Sequence, residues 1–478
     1  MMSSNEAFPS VADVVVIGAG PAGMFAALEA REQGLSVVVV DEQSSPGGQI
    51  YRHVLVSDAT RARVLGPDYL AGASLARHFM RSGVRYLRNA SVWDVSADDG
   101  GQQVHVLDSG VARRIDTQAV IYCGGAQERP FPIPGWTLPG VLTAGAAQIL
   151  LKRDGCVPGT PAVLIGCGPL LYLLADQYLR AGAPIRAVLD TTTFGDYLAA
   201  LPLMVPALRS RRAWADLTKG LGMMRRLKQA KVPHLKGVDA LALEANADGN
   251  VAKVCFTHRG RRQFIDTDVV LLHQGVVPNT QFSRAMRAPH VWSGSADCWA
   301  PITDAWGEIA QTGIFLAGDG RGIVGAHAAA LQGRLAALAV AARAEKITAR
   351  TRDALAKSLW RTLRAETALR PMLNRLYRAK AINRVPQDDV IVCRCEEVSA
   401  GEIRHTVELG CTGANQVKAF TRCGMGPCQG ASCGLTVTEV VADTLGKSPD
   451  KVGAFRVRPP LKPVTLGQLA DADRRGRK

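Results

Sequence analysis

The chain has 478 residues, 47% hydrophobic and 21% charged, a globular composition long enough for two to four domains of ~100 to 200 residues each. No uninterrupted apolar run approaches the ~18 residues of a membrane span, and the start MMSSNEAFPS lacks the basic and apolar parts of a secretory signal, so a cytoplasmic protein is expected. The net charge of +15 is dispersed, with local excess at Arg209-Ser210-Arg211-Arg212, Arg225-Arg226 and Arg474-Arg475-Gly476-Arg477-Lys478, which argues against nucleic acid and for a solvated basic surface, or for contact with an acidic partner or the inner face of an anionic membrane.

Asp13 to Arg52 reads as one strand-turn-helix-strand unit. Val14 to Ile17 suits a buried parallel strand, and it ends in Gly18-Ala19-Gly20-Pro21-Ala22-Gly23, which opens an Ala-rich helical segment. Gly18 permits the tight turn, Gly20 lets the backbone approach a pyrophosphate, Gly23 lets helix and strand pack closely, and the helix N-terminus offers amides to the phosphates. A second strand, Val37 to Val40, ends in Asp41-Glu42, where a ribose-binding carboxylate is expected; Asp41 comes first because it directly ends the strand, and Glu42 second. Pro46-Gly47-Gly48-Gln49 then resembles the GG turn by which flavoproteins of the glutathione-reductase-like superfamily run past the flavin. That resemblance implies FAD, with Gly48 and Gln49 in its site. No cysteine pair follows the turn, which excludes a disulfide reductase mechanism.

Turns at Asp98-Asp99-Gly100-Gly101 and Asp108-Ser109-Gly110 punctuate an antiparallel-looking region, and Val120 to Cys123 runs into glycines as a returning strand. The prolines of Glu128 to Gly135 forbid regular structure and mark a crossover between domains. A second strand-turn-helix unit begins at Ala162, with Gly166 and Gly168 in its turn and a further strand from Ile185 to Leu189 before Asp190. Leu171 stands where the third glycine belongs and should push helix from strand, which leaves three readings: a working NAD(P) site, a site for another adenine nucleotide such as ATP, or a vestigial domain. Thr193 to Leu235 is helical and basic, and Val238 to Asp268 alternates between turns at Asp248-Gly249 and Arg259-Gly260. Asp268 to Thr280 resembles the second crossover of the same superfamily, on Gly275, Pro278 and Asn279. Gly313 to Gly320 is a strand ending in Gly318-Asp319 before a helix from Ala326 to Ala342. The superfamily resemblance gives Asp319 to the flavin ribityl or pyrophosphate, and the helix N-terminus agrees with it. His327 is either close to the flavin ring or an interior histidine.

Glu345 to Asn383 is a helix-forming connector that Val385-Pro386 ends. Beyond it, Cys393-Arg394-Cys395 precedes a helix-turn-helix-like stretch and the segment Cys423-Gly424-Met425-Gly426-Pro427-Cys428-Gln429-Gly430-Ala431-Ser432-Cys433-Gly434. Tight glycine turns can aim four thiolates at one cluster, and the segment resembles the bacterioferritin-associated-ferredoxin type. Cys393, Cys395, Cys428 and Cys433 are assigned to a 2Fe-2S cluster, although Cys428 and Cys433 stand further apart than the CxxC usual in that ferredoxin; structural zinc on the same thiolates is the alternative. The other seven of the eleven cysteines, Cys123, Cys156, Cys167, Cys255, Cys298, Cys411 and Cys423, lack ligand spacing, are expected to be largely inert, and are not expected to form disulfides.

Taken together, nearly the whole chain resembles the flavin and iron-sulfur alpha-type subunits of bacterial multi-subunit amine dehydrogenases: opine oxidases, proline and hydroxyproline dehydrogenases, and hydrogen cyanide synthase. The resemblance implies an α/β, glutathione-reductase-like fold with two dinucleotide-binding domains and a small helical 2Fe-2S domain. Expected boundaries are 11–155 and 276–342 for the FAD domain, 156–275 for the second nucleotide-type domain, 343–386 for the connector, 387–450 for the cluster domain and 451–478 for a basic tail. It further implies an electron-transferring subunit whose oxidase-like flavoprotein partner converts an amino acid or secondary amine to an imine. The expected partners are completed by a quinone or other acceptor and by a small ferredoxin-like subunit. A self-contained NAD(P)H-dependent flavin/iron-sulfur reductase is the competing enzyme, and a scaffold with purely structural cofactors is the third reading. No residue is assigned a catalytic role.

Overall fold

The computed structural model describes residues 8–56, 58–98 and 100–470, without the side chains of 208 and 209, so the basic run at 474–478 lies outside the described residues. The chain begins with strand β1 (Val11–Ile17), helix α1 (Pro21–Glu32) and β2 (Val37–Asp41), continues through α2 (Ala59–Leu65) and α3 (Pro67–Arg81), and adds β3 (Arg85–Arg88), β4 (Ala90–Asp98), β5 (Gly101–Asp108) and β6 (Val111–Tyr122). Unbroken β-branched runs, which stiffen the backbone into extended form and are buried on both faces, explain why β1 and β2 lie at the centre of a parallel sheet. The sheet order is β3-β2-β1-β6-β5-β4. The long β6 pairs antiparallel with β5 in its first half and parallel with β1 in its second.

A short strand β7 (Ala126–Glu128) leaves this domain, followed by β8 (Val141–Thr143), α4 (Ala144–Asp154), β9 (Ala162–Cys167), α5 (Pro169–Arg180), β10 (Ile185–Asp190), α6 (Phe194–Ala200), α7 (Arg211–Gln229) and β11 (His234–Lys236). A three-stranded meander, β12 (Asp239–Ala245), β13 (Val251–His258) and β14 (Arg261–Asp266), precedes β15 (Val270–Gln274) and β16 (Val276–Pro278). The second parallel sheet runs β11-β10-β9-β15-β8, so residues 141–154 stand with the second domain, not with the first domain to residue 155 as expected. Proline content marked the crossover, but its only regular structure is the antiparallel pair β7–β16.

After β16 come α8 (Gln281–Ala285) and the hairpin β17 (His290–Ser293) and β18 (Cys298–Pro301), and the chain rejoins the first sheet through β19 (Ile314–Leu316), beside β6, and α9 (Ala326–Arg343). Small residues on both helices let α9 lie close along α1, with Ala22, Ala26, Ala329, Ala336 and Ala337 in one core. The connector is α10 (Ala349–Thr367) and α11 (Arg370–Leu376). It is tied to the second domain by Lys380 and Arg375 on Asp196, the latter at 3.3 Å.

The C-terminal domain holds β20 (Ile391–Cys393), β21 (Val398–Ser399), α12 (Ala400–Glu408), α13 (Ala414–Thr421), α14 (Gly434–Thr444) and α15 (Pro449–Val452). The expected basic tail is not separate from it: Val452 and Phe455 belong to its core. Past them the chain crosses to the first domain, where Leu461 N donates to the Trp93 carbonyl at 2.7 Å and Lys462 pairs with Glu42 at 2.9 Å. Charge in the sequence hid these few apolar anchors.

Candidate functional site

The first site is built on two glycine turns that meet. Gly47 N donates to the Ala19 carbonyl at 2.8 Å, which draws the 46–49 turn onto the 18–23 turn. A Cβ on Gly48 would lie 2.8 Å from the Gly20 Cα, and one on Gly23 would lie 1.8 Å from the Gly18 oxygen, so neither position has room for a side chain. Asp41 is buried at the end of β2, with its two oxygens accepting from the Ala19 amide and, at 2.7 Å, from the Gln43 amide. Burial pushes its carboxyl up, and those two amides pull the other way. Glu42, next along, is exposed and pairs with Lys462 at 2.9 Å.

Gln49 is exposed, its Oε1 accepts from Arg52 Nη2 at 2.7 Å, and its carbonyl accepts from Lys152 Nζ at 3.1 Å. Lys152 is 5% exposed and lowered to about 7, first by burial and then by the charge of Arg52. Gly318 and Asp319 follow β19. Asp319 Oδ1 accepts from the amides of Val324 at 2.8 Å and Gly325 at 2.9 Å, which holds the carboxylate at the N-terminus of α9, within the field of the Arg370 guanidinium. Gly18, Gly20, Gly23, Asp41, Gly48 and Gln49 therefore share one region at the ends of β1 and β2, with Gly318-Asp319 at the end of β19. His327 is exposed, which removes the interior-histidine alternative.

The second glycine turn differs in what surrounds it. A Cβ on Gly166 would lie 1.6 Å from the His273 carbonyl oxygen, and one on Gly168 would lie 3.3 Å from His273 Nε2. Strand β15 therefore crowds both glycines, whose φ values of 130° and 111° also favour glycine. His273 is buried with Nδ1 2.6 Å from Glu128 Oε1, and the other Glu128 oxygen accepts from the Gly145 amide at 2.8 Å. Asp190, at the ribose position, is fully buried; it accepts from the Tyr172 hydroxyl and, at 2.8 Å, from the Thr192 amide. Leu171 is itself fully buried in a core that runs through both nucleotide-type domains.

The third site is a group of thiols, none of them in a disulfide. The Cys395 and Cys428 sulfurs lie 3.7 Å apart near the surface. Two thiolates on one tetrahedral metal, each at about 2.3 Å, are separated by ~3.8 Å, so this pair already has chelating geometry. Cys393, Cys423 and Cys433 are buried with their sulfurs within 4.8 Å of one another. Cys423, expected outside the four ligands, thus lies among these thiols, and Cys411 does not. Hydrogen bonding between Cys433 and Cys393, helped by the amides of Gly424, Glu396 and Cys395, draws the Cys393 thiol down against burial and pushes Cys433 up, so the two sulfurs share one proton-bearing contact. Donor chemistry and spacing fit a thiolate-bound metal centre.

Sequence reading also missed what supports this loop. The Phe455 ring lies where a Cβ on Gly424 or Gly430 would stand, 2.6 Å away in each case. From below, Gln127 of the crossover strand β7 donates to the Ala431 carbonyl at 2.7 Å, and Gln281 reaches the Gln429 carbonyl at 3.4 Å. Crossover and flavin-type turn also touch, since a Cβ on Gly320 would lie 3.3 Å from the Gly125 oxygen. A regular spacing could have revealed Cys423, for Cys423, Cys428 and Cys433 recur every five residues; nothing local marks Phe455 or Gln127.

A family model described as pyridine nucleotide-disulphide oxidoreductase matches residues 12–333, and one described as the sarcosine oxidase A3 domain matches residues 389–473. The chain is 43% identical to the first of the opine oxidase subunits of Agrobacterium tumefaciens, the one designated by the letter A, over 466 residues, 96% of this chain and 91% of that protein. It is 30% identical to hydrogen cyanide synthase subunit HcnB of Pseudomonas protegens over 479 residues, 96% of this chain and 97% of that one. Among solved structures, L-proline dehydrogenase from P. horikoshii aligns with a TM-score of 0.71 at 19% identity, over 98% of this chain and 81% of that chain, which marks a shared fold.

Proposed function

Because the chain belongs to the pyridine nucleotide-disulphide oxidoreductase family and, within it, groups with the first subunits of opine oxidases, we propose that it is the flavin subunit through which a heteromeric amine dehydrogenase passes its electrons. The enzyme acts on carbon–nitrogen bonds: an amine gives up a hydride from carbon and a proton from nitrogen, leaving an imine. We assign the site of that step to an oxidase-like flavoprotein partner, and the relay to this chain. The substrate class is an opine, or a proline- or hydroxyproline-like secondary amine. The acceptor is a quinone or other carrier, and a further partner is a small ferredoxin-like subunit. Among the described residues no helix is long and apolar enough to cross a membrane. The location we propose is the cytoplasm, peripherally at the inner membrane face.

When bound, FAD converts a two-electron input into single-electron output, and a 2Fe-2S cluster carries single electrons. The chain's own residues then have distinct duties. The 18–23 turn and the first amides of α1 receive the pyrophosphate, Asp41 braces that turn and accepts from a ribose hydroxyl with its remaining lone pairs, and Glu42 stands beside it. Gly48 permits close passage of the flavin. Gln49, held by Arg52 and Lys152, borders its ring, and Asp319 accepts from the ribityl chain. Cys393, Cys395, Cys428 and Cys433 hold the cluster. Gly166 and Gly168 belong to a domain retained for structure, with its ribose carboxylate and glycine face already engaged.

One observation carries the relay reading: the cysteine loop rests on crossover strand β7, whose glycine neighbour Gly125 abuts Gly320 of the flavin-type turn. The test is co-expression with an oxidase-like partner, followed by dye-linked dehydrogenase assays of the separate proteins and of the complex. Activity in the complex alone is expected. Full turnover by this chain alone would overturn the proposal, and zinc in place of iron and sulfide would overturn its cluster.

A further inference from the structure

A 2Fe-2S cluster takes two thiolates on each iron, and the five thiols of this centre are not divided two and two. Cys395 and Cys428 form an outer pair at 3.7 Å. The inner set has three members, Cys393, Cys423 and Cys433, all at most 2% exposed, with every pair of sulfurs within 4.8 Å. A pair of ligands on one tetrahedral iron needs a separation of ~3.8 Å, so any two of the three can meet it after a shift of about an ångström. Their backbone supports differ: Cys393 ends β20, Cys423 follows α13, and Cys433 opens α14.

From this we infer that Cys423 is a reserve ligand for the inner iron, able to replace Cys433, whereas the outer iron has no reserve. The inference rests on the cluster reading above. In the exchange the bond from iron to the Cys433 sulfur breaks as the Cys423 sulfur bonds iron, and the Cys423 proton passes to the released Cys433 sulfur; where residue 433 carries no sulfur, that proton passes to solvent. Oxidation states and ligand charge are unchanged. Substitution should therefore act asymmetrically: at Cys428 it breaks a pair that no third thiol joins within 4.8 Å among the described residues, and at Cys433 it leaves two buried thiols for the same metal.

The experiment uses the full chain purified without air, as wild type, Cys433→Ala, Cys423→Ala, Cys428→Ala and the Cys423→Ala/Cys433→Ala double variant. Iron and acid-labile sulfide are measured relative to flavin, with the electron paramagnetic resonance spectrum after reduction. Cys433→Ala should keep more than about half of the wild-type iron, with a shifted spectrum, whereas the double variant and Cys428→Ala keep under about a tenth, a non-additive pattern expected of two groups serving one position. Loss of iron from Cys433→Ala, with flavin and circular dichroism retained, overturns the inference alone. A wild-type chain carrying zinc instead of iron overturns the cluster reading and this inference with it. Should Cys433→Ala fail to fold, the rate of iron loss to a chelator decides. A several-fold faster loss from Cys423→Ala than from wild type supports the reserve, and equal rates overturn it.

Discussion

Single residues carry two consequences that can be measured. Phe455 is 5% exposed and packs on the glycines of the cysteine loop, so Phe455→Ala should cost ~3 to 5 kcal/mol in the C-terminal domain and loosen the iron proposed for its thiols, while Phe455→Leu, closer in volume, should cost less than about 1.5 kcal/mol. Calorimetry with iron analysis checks this, and equal effects of the two substitutions would count against it. Lys152, lowered to about 7 by burial, is charged when unfolded up to about pH 10.4. Between those values the unfolded chain holds a proton that the folded chain has released, so its contribution to stability rises with pH. Below pH 7 the folded protein bears the full cost of a buried ammonium. Lys152→Met should therefore show its largest gain in Tm near pH 6, shrinking toward pH 10. A pH-independent difference would refute the assignment. The glycine turns, Asp41 and four of the five cysteines were legible because each is a local pattern with a mechanism. Lys152 and Phe455 were not, since each is defined by partners far from it in the chain: Arg52 and Gln49 for the lysine, Gly424 and Gly430 for the phenylalanine.

At the scale of elements, the two nucleotide-type units share a sequence pattern and differ in what fills them. Leu171 was the one local sign of that difference. The stronger signs are tertiary: Tyr172 on Asp190, from the neighbouring helix, and His273 over Gly168, from strand β15. No local pattern could supply them. NADH and NADPH should accordingly reduce the bound flavin slowly and without saturation in stopped-flow experiments; rapid, saturable bleaching by either would restore the NAD(P)H-dependent reductase. The domain boundary was legible only to within one element, because the prolines of 130–134 signal irregular backbone and not the sheet joined by the strand beyond them.

Over the whole molecule, the C-terminal domain touches both nucleotide-type domains. Trp136 Nε1 donates to the Ile391 carbonyl at 2.7 Å on one side, and on the other the chain beyond Phe455 reaches Trp93 and Glu42. Arg384 pairs with Glu439 in a buried contact and lies 3.7 Å from Asp297. Arg384→Ala leaves both acids without that partner and should cost ~3 to 5 kcal/mol, seen as proteolysis near residue 385 that wild type resists. Unchanged proteolysis would show that the other ties suffice. A two-stranded crossover such as β7–β16 is the kind of narrow joint about which domains rotate. In this chain a third body splints that joint. On the relay proposed above, the distance an electron would jump is set by covalent and packed structure rather than by a swing of one domain toward another, and the internal transfer rate should be indifferent to solvent viscosity, leaving only the encounters with partner and acceptor to slow in glycerol.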